Sequence, residues 1–275
     1  MRVAAIQMNS GSDVAANLQL ADRLLAEAAN DQCRLAVLPE NFALMPEHGR
    51  DKAEHAEQHG GGPIQDFLAD ASRRHGMWII GGSIPLVSQE PERVFGACPV
   101  YDKGGEERAC YRKIHLFDVK LPDREESYQE SWSMVAGDSL VCVDSPCGRI
   151  GLTICYDLRF PEMFRRLVDD GAIVFTVPAA FTSVTGSAHW HTLLRARAIE
   201  NLAYVIAPGQ HGEHPDKRST YGHSLIVDPW GRVLAEQATG NCHVAADIDS
   251  DLPAKLRSEF PALANRRLSA EKLME

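Results

Sequence analysis

Three reactive side chains each stand at the end of an apolar, strand-like run of the sequence. Cys155 supplies a thiol, Glu40 a carboxylate and Lys113 an ammonium group. The runs that they end cover residues 148–155, 35–38 and 107–113. A thiol activated by a neighbouring acid/base group is a nucleophile for covalent catalysis, and a cation can stabilise the negative charge that develops. The three residues therefore form a candidate catalytic set.

A cysteine in an apolar strand is more often a core residue than a nucleophile, and the other six cysteines fit that description. Cys155 differs because a helical pattern follows it. The free backbone N–H groups of a helical turn, its dipole and a nearby lysine all lower the pKa of a thiol. The sequence therefore predicts that Cys155 is held as a thiolate.

Glu40 and Lys113 also have plainer interpretations when each is taken alone. Glu40 could be a solvated loop residue or a helix cap, and a lysine is usually a surface charge. Glu40 follows an apolar run and Pro39, however, so we expect a partly buried carboxylate. Burial raises the pKa of a carboxyl group and suits it to acid/base work near neutral pH.

The elements that must position these residues alternate between strand and helix patterns. Strands are expected at 3–8, 35–38, 77–84, 94–102, 107–113, 140–144, 149–155, 172–177, 203–208, 223–228, 232–236 and 243–248. Helices are expected after a cap at Asp13, at 64–71, from Pro161, at 188–202 and after Asp251. This order predicts a layered α/β structure with mixed sheets, in one domain over residues 1–275.

Composition excludes several classes of protein. The net charge of −10 argues against nucleic-acid binding, so any anionic substrate must be attracted by local cations. The apolar runs are far shorter than the ~20 residues that span a bilayer, and the N-terminus reads as a strand without signal-peptide features. The seven scattered cysteines fit neither a disulfide framework nor a zinc motif. We expect a cytoplasmic protein without metal or cofactor.

Nearly the whole chain resembles the nitrilase, or carbon-nitrogen hydrolase, superfamily. Glu40, Lys113 and Cys155 match its Glu-Lys-Cys triad in chain order, and further segments match at 179–182, 185–190, 195–200, 221–224 and 228–231. The resemblance implies a four-layer α-β-β-α sandwich. It also implies homodimers that form through helices near the nucleophile and the C-terminal region.

The resemblance assigns a role to each member of the triad. Glu40 would take the thiol proton, pass it to the departing group and then activate a water, while Lys113 and the backbone N–H of Tyr156 would stabilise the oxyanion. Glu130 matches a second glutamate of the family that positions substrate or the lysine. An exposed loop acid is the alternative for Glu130.

Residues beside the triad are expected to shape the pocket. Phe181 and Thr182 follow a strand next to the nucleophile strand and are expected to line it. Arg159 and Glu162, three residues apart at a helix start, are interpreted as a structural ion pair. Most histidines are expected to be structural, with His189 as the exception.

The residues after the nucleophile, 155–162, resemble the branch of small-acid amidases that comprises omega-amidases and deaminated glutathione amidases. The implied reaction is hydrolysis of the primary amide of a small carboxylic acid, releasing ammonia, with deaminated glutathione as the preferred substrate. The alternative is an omega-amidase acting on 2-oxoglutaramate or 2-oxosuccinamate. A catalytically silent interaction protein is disfavoured because the triad is complete, and a thiol-redox protein because no Cys-x-x-Cys pair is present.

A substrate that carries carboxylates needs a cation near the pocket. Lys217 and Arg218 lie in a polar loop before Tyr221, and such loops commonly carry specificity. We therefore expect this pair to bind the substrate, with Arg124 as the competing candidate.

Overall fold

The computed structural model describes residues 1–48, 50–120 and 127–268. The strands are β1 (Arg2–Gln7), β2 (Leu35–Val37), β3 (Trp78–Ile80), β4 (Ile84–Val87), β5 (Val94–Tyr101), β6 (Glu107–Arg112), β7 (Asp118–Lys120), β8 (Ser127–Gln129), β9 (Cys142–Ser145), β10 (Gly148–Leu152), β11 (Val174–Thr176), β12 (Tyr204–Ala207), β13 (His211–Glu213), β14 (Ser219–Tyr221), β15 (Ser224–Val227), β16 (Val233–Gln237) and β17 (Cys242–Asp247). The helices are α1 (Val14–Asn30), α2 (Asp51–Glu54), α3 (Pro63–His75), α4 (Pro161–Asp169), α5 (Ser183–Asn201) and α6 (Leu252–Glu259). None of these helices has the length and apolar composition that crossing a bilayer requires.

Two mixed sheets form the centre of the molecule. The first has the order β17-β1-β2-β3-β5-β4, with β6 also paired to β5, and the second has the order β16-β15-β12-β11-β10-β9. Successive side chains of β1 point to opposite faces of the sheet, and the buried apolar residues of β1 occupy both faces. Val3 and Ala5 face the second sheet, whereas Ala4 and Ile6 face the helices.

Helices cover the outer face of each sheet. Helices α1 and α3 pack against each other and against the first sheet, and α4 and α5 do the same on the second. The inner faces of the sheets share one apolar core, in which Val37 of β2 and Ile150 of β10 belong to the same cluster. The predicted four-layer α-β-β-α sandwich is therefore confirmed.

The sequence located most elements, and the differences have local causes. The strand predicted at 77–84 is two strands, because Gly82 adopts φ +58° and turns the chain between β3 and β4. Helix α5 begins five residues earlier than predicted, where Thr182 caps it by accepting from the Thr185 N–H. The short pairs β7–β8 and β13–β14 were not predicted.

The turn at Gly82 also supports the segment that carries Glu40. A Cβ at Gly82 would lie 2.1 Å from the Pro39 carbonyl oxygen, so only glycine permits this approach. The next residue, Ser83, accepts a hydrogen bond from the Asn41 N–H at 2.9 Å. The end of β3 thus holds the residues on both sides of Glu40.

We expect Gly82→Ala to destabilise the protein and to lower turnover. Positive φ costs a non-glycine residue about 1–3 kcal/mol, and the displaced Pro39 carbonyl would move Glu40 as well. The free energy of unfolding, measured in urea, and kcat should both fall. Gly61→Ala is the control, because a Cβ there meets nothing within 4 Å. A Gly82→Ala variant that matches this control in both measurements would contradict the argument.

Candidate active site

The ends of strands from both sheets meet at one cavity of about 250 Å³. Glu40 follows β2 and Lys113 follows β6 in the first sheet, while Cys155 follows β10 in the second. All three side chains line the cavity, together with Glu130. They are nearly inaccessible to solvent, with 5%, 2% and 8% of Glu40, Lys113 and Cys155 exposed.

The Lys113 ammonium group lies between two carboxylates. Its Nζ donates to Glu40 Oε1 at 2.7 Å and to the two oxygens of Glu130 at 2.9 and 3.0 Å. Burial alone would lower the pKa of Lys113, but the negative charges of Glu130 and Glu40 outweigh it and hold the pKa well above its ordinary value. Lys113 is therefore a permanent cation in the cavity.

Glu130 is drawn into the cavity and is not an exposed loop acid. It lies on a 3-10 turn at 130–132 that follows β8, and its Oε2 also accepts the Phe117 N–H at 2.8 Å. Burial would raise the pKa of Glu130, but the charges of Lys113 and Lys52 lower it below the ordinary value. An ionised Glu130 fixes the position of the Lys113 ammonium.

Glu40 uses both carboxylate oxygens. Besides the bond from Lys113, Oε2 accepts the N–H of Ala180 at 2.8 Å. The Ala180 segment follows β11, next to the nucleophile strand. Glu40 therefore spans from the first sheet to the second and lies beside Cys155.

Cys155 opens a single 3-10 turn at 155–159 with φ +47°. Its N–H donates to the Pro178 carbonyl at 2.8 Å. The N–H of Tyr156, in contrast, has no acceptor within the described part of the chain. It is thus free to meet a developing oxyanion at the mouth of the turn.

The prediction of a lowered thiol pKa is wrong. Burial, followed by the charge of Glu40, raises the pKa of Cys155 well above its ordinary value, and the opposing charge of Lys113 is too weak to reverse this. The 3-10 turn is also too short to supply a large dipole. The free protein therefore holds a neutral thiol next to a base.

A buried carboxylate, Asp157, joins the nucleophile turn to the Lys113 segment. It accepts the Tyr111 hydroxyl at 2.7 Å, the Ile154 N–H at 2.8 Å and both the N–H and Nδ1 of His115, at 3.1 and 2.7 Å. These donors lie on either side of Lys113 and directly before Cys155. Asp157 thereby fixes the two catalytic segments relative to each other.

Comparisons with known proteins agree on one family. The model of the family described as carbon-nitrogen hydrolase matches residues 2–257. The deaminated glutathione amidase of Yersinia enterocolitica is 40% identical over 266 residues, which cover 96% of this chain and 92% of that protein.

The chain belongs to the carbon-nitrogen hydrolase family.

Solved structures agree with this assignment. Nit3 of Saccharomyces cerevisiae, a member of branch 10 of the nitrilase superfamily, has a TM-score of 0.86 and 30% identity, covering 98% of this chain and 97% of that one. The NitFhit protein of Caenorhabditis elegans has a TM-score of 0.88 and 36% identity. The match covers 97% of this chain but only 65% of NitFhit.

The residues expected to bind substrate are only partly brought together in this carbon-nitrogen hydrolase. Tyr156, Phe181, Thr182 and Arg218 line the cavity with the triad. Lys217 does not: it is exposed and borders a neighbouring surface depression, which Arg218 also lines. The competing candidate, Arg124, lies outside the described residues.

Two further expectations about the pocket surroundings are not met. The Arg159 guanidinium lies 5.2 Å from the centre of the Phe181 ring and forms no ion pair with Glu162 among the described residues. The attraction of the aromatic face replaces the predicted pair. His189 is exposed and does not line the cavity, and among the described residues its one side-chain hydrogen-bond contact is with Arg159 at 3.4 Å.

Sequence reasoning missed Lys52 and the role of Asp157. Lys52 lies in a charged stretch without hydrophobic periodicity, so nothing marked it as a cavity residue. Asp157 offered a signal, since an acidic residue three positions after Ile154 is the spacing that caps a turn.

Within residues 1–48, 50–120 and 127–268, two groups of side chains could hold a metal ion by residue type, and neither lines the cavity. They are His59 with Glu107 and Cys110, and His191 with His223 and Glu236. In the second group, both histidines already bond to Glu236 Oε1, at 2.9 and 2.6 Å. Hydrogen bonds between the two histidines and Glu236 therefore account for the proximity of these three side chains.

The raised pKa of Cys155 predicts how the thiol reacts with iodoacetamide. The thiolate is the reacting form, so alkylation should be slow at pH 7 and accelerate as the pH rises through a pKa above 9.0. Glu40→Gln removes a charge that raises this pKa and should speed alkylation at pH 8. Lys113→Met removes a charge that lowers it and should slow the reaction.

Peptide mass spectrometry would measure the label on Cys155, and Cys155→Ala would give the background from other thiols. A wild-type alkylation profile with its midpoint near neutral pH would show that the resting thiol is already ionised and would contradict the structure.

Proposed function

We propose that this single-domain chain is a thiol-dependent amidase with Glu40, Lys113 and Cys155 as its catalytic triad. One observation carries the proposal: a neutral thiol, a carboxylate bonded to a lysine at 2.7 Å and that lysine share one buried cavity. A neutral thiol needs a base at the moment of attack, and Glu40 lies beside it.

In the first half of the reaction, Glu40 takes the proton of Cys155 as the sulfur bonds to the amide carbonyl carbon. The carbonyl oxygen becomes an oxyanion, which the Lys113 ammonium and the unpaired Tyr156 N–H stabilise. Glu130 keeps Lys113 in place. Glu40 then returns the proton to the nitrogen, the carbon-nitrogen bond breaks, and an acyl thioester remains on Cys155.

The second half uses the same groups in reverse. Glu40 removes a proton from a water molecule as that water attacks the thioester carbonyl. Lys113 and the Tyr156 N–H again stabilise the oxyanion. Collapse of this intermediate releases the carboxylic acid, and the sulfur regains a proton from Glu40.

We infer deaminated glutathione as the substrate. Relatives that carry this name include the Yersinia protein at 40% identity. This substrate differs from the primary amide that the resemblance led us to expect. Deamination turns the γ-glutamyl part of glutathione into a 2-oxoglutaryl group, so the departing nitrogen belongs to a dipeptide and no ammonia is released, whereas a primary amide such as 2-oxoglutaramate releases ammonia. Both substrates leave the same acyl group on Cys155. Phe181, Thr182 and Arg218 are proposed to contact the substrate.

We expect kcat/KM to be higher for deaminated glutathione than for 2-oxoglutaramate and negligible for a simple nitrile. Rapid quenching should reveal the same 2-oxoglutaryl mass on Cys155 with either amide. Cys155→Ala should abolish turnover, and Cys155→Ser should be nearly inactive because a hydroxyl ionises less readily than a thiol.

A strong preference for 2-oxoglutaramate would instead place the chain among the omega-amidases. A folded protein that forms no acyl-enzyme with any amide would leave only the interaction-protein alternative. Circular dichroism of each variant would establish that its fold is retained.

We also propose a cytoplasmic homodimer. All seven cysteines are free thiols, which suits a reducing compartment. Large apolar side chains are exposed close to α5, the β15–β16 turn and the end of α6, among them Ile199 at 47%, Trp230 at 51% and Phe260 at 54%. The rings of Trp230 and Phe260 are 5.8 Å apart. Such a patch is suited to a subunit interface.

Sedimentation velocity should show a dimer at micromolar concentration, and Trp230→Glu combined with Phe260→Glu should yield monomers because charges would be buried without partners. Trp132→Glu is the matched control, since Trp132 is 76% exposed and lies apart from the patch. A wild-type monomer, or a double variant that stays dimeric, would refute this interface.

A further inference from the structure

Lys52 is a cation of the cavity to which the catalytic steps assign no task. It lies on α2, and its side chain reaches the cavity that Glu40, Lys113 and Cys155 line. The only hydrogen bond of its Nζ within the described part of the chain goes to the Met134 sulfur at 3.3 Å. A thioether is a weak acceptor, and an ammonium group has three donors, so most of its capacity is unused.

The other cations that line the cavity are already paired with carboxylates. Lys113 is held by Glu40 and Glu130 at 2.7 to 3.0 Å, and Arg218 pairs with Asp216 at 3.0 Å. Lys52 has no carboxylate within 4.0 Å among the described residues. Of the cations that the described residues bring to the cavity, Lys52 is therefore the one that is free to accept a new anion.

The surroundings of Lys52 favour a bound carboxylate. Burial lowers the pKa of Lys52, and the charges of Glu130 and Glu40 offset this effect only in part. A partly desolvated ammonium group without a good acceptor is unfavourable, and a charge-assisted hydrogen bond to a carboxylate would relieve that cost. Substrate binding would thus complete an ion pair that the free protein leaves open.

We propose that Lys52 binds a carboxylate of the substrate and selects anionic amides over neutral ones. The inference rests on the proposed amidase function and adds the residue that determines substrate charge. The carboxylate is either that of the 2-oxo acid, which stays with the acyl group, or that of the glycine residue in the departing dipeptide.

The test compares Lys52→Met with wild type on three amides: deaminated glutathione, 2-oxoglutaramate and pentanamide, which is uncharged. Methionine keeps a long side chain without the charge. We expect KM for the anionic amides to rise about 10- to 100-fold with kcat changed much less, as loss of a hydrogen bond to a charged group predicts. The kcat/KM for pentanamide should change less than about threefold, which is within the range of a minor packing effect.

Two more variants sharpen the comparison. Lys52→Arg keeps the charge and should restore most of the affinity for anionic amides. Lys103→Met removes an exposed lysine from the turn between β5 and β6 and should leave all three reactions unchanged. Lys52→Gln serves as a second neutral variant if Lys52→Met shows a lower melting temperature than wild type.

The substrates also separate the two carboxylates. An effect on both anionic amides assigns Lys52 to the 2-oxo acid carboxylate, and an effect on deaminated glutathione alone assigns it to the glycine carboxylate. Equal losses on anionic and neutral amides would overturn the proposal and reduce Lys52 to an electrostatic partner of Glu130.

Failure of the proposed function would look different. In that case the wild-type protein would hydrolyse neither anionic amide, whether or not it hydrolyses pentanamide, and the inference about Lys52 would fall with the proposed substrate. If wild type hydrolyses the anionic amides and Lys52→Met does so with unchanged KM, only the inference about Lys52 is refuted.

Discussion

The buried Lys113 ammonium group, held between Glu40 and Glu130, is the interaction on which the rest of the site depends. Removing three charges from water is costly, and the cost is met only while each charge keeps its partners. Loss of one partner from such a buried group typically costs about 3–5 kcal/mol. The three charged side chains come from the end of β2, the end of β6 and the turn after β8. These three segments must therefore keep fixed positions relative to one another. The rigidity that catalysis needs follows from this electrostatic requirement.

The nucleophile comes from the other sheet, so the two sheets need a second link. Asp157 provides it by accepting donors from Tyr111 and His115 on the Lys113 segment and from Ile154 before the nucleophile. The bond from the Ala180 N–H to Glu40 crosses the sheets in the opposite direction. The apolar core between the sheets sets the distance between them, while these few polar contacts set how the two sheets are aligned. A sandwich with the same core but without Asp157 would lack this alignment.

Much of the fold could be predicted from the sequence because it is encoded locally. Alternating apolar residues located most strands, and the capping side chain of Asp13 marked the start of α1. The positions of Glu40, Lys113 and Cys155 at strand ends also follow from local pattern, and the family resemblance supplied the arrangement of layers. The pKa of Cys155 could not be predicted, because it depends first on burial and then on the charge of a carboxylate 115 positions away in sequence, both of which arise only when the two sheets pack together. Lys52, on the four-residue helix α2, and Lys217, in a loop, show the same limit, since a charged residue outside a hydrophobic pattern carries no periodic signal of the direction in which it points.

In the proposed mechanism, the neutral thiol of Cys155 explains why one carboxylate can serve both halves of the reaction. If the resting thiol lost its proton to solvent, Glu40 would have none to deliver to the departing nitrogen. An amide nitrogen is a poor leaving group unless it is protonated as the bond breaks. By raising the pKa of the thiol, burial and the charge of Glu40 keep that proton inside the cavity until attack begins. Lys113 then stabilises the oxyanion, so the charge that forms on oxygen meets a cation already in place. In the proposed mechanism, the high pKa of Cys155 thus couples attack on carbon to protonation of nitrogen through a single carboxylate.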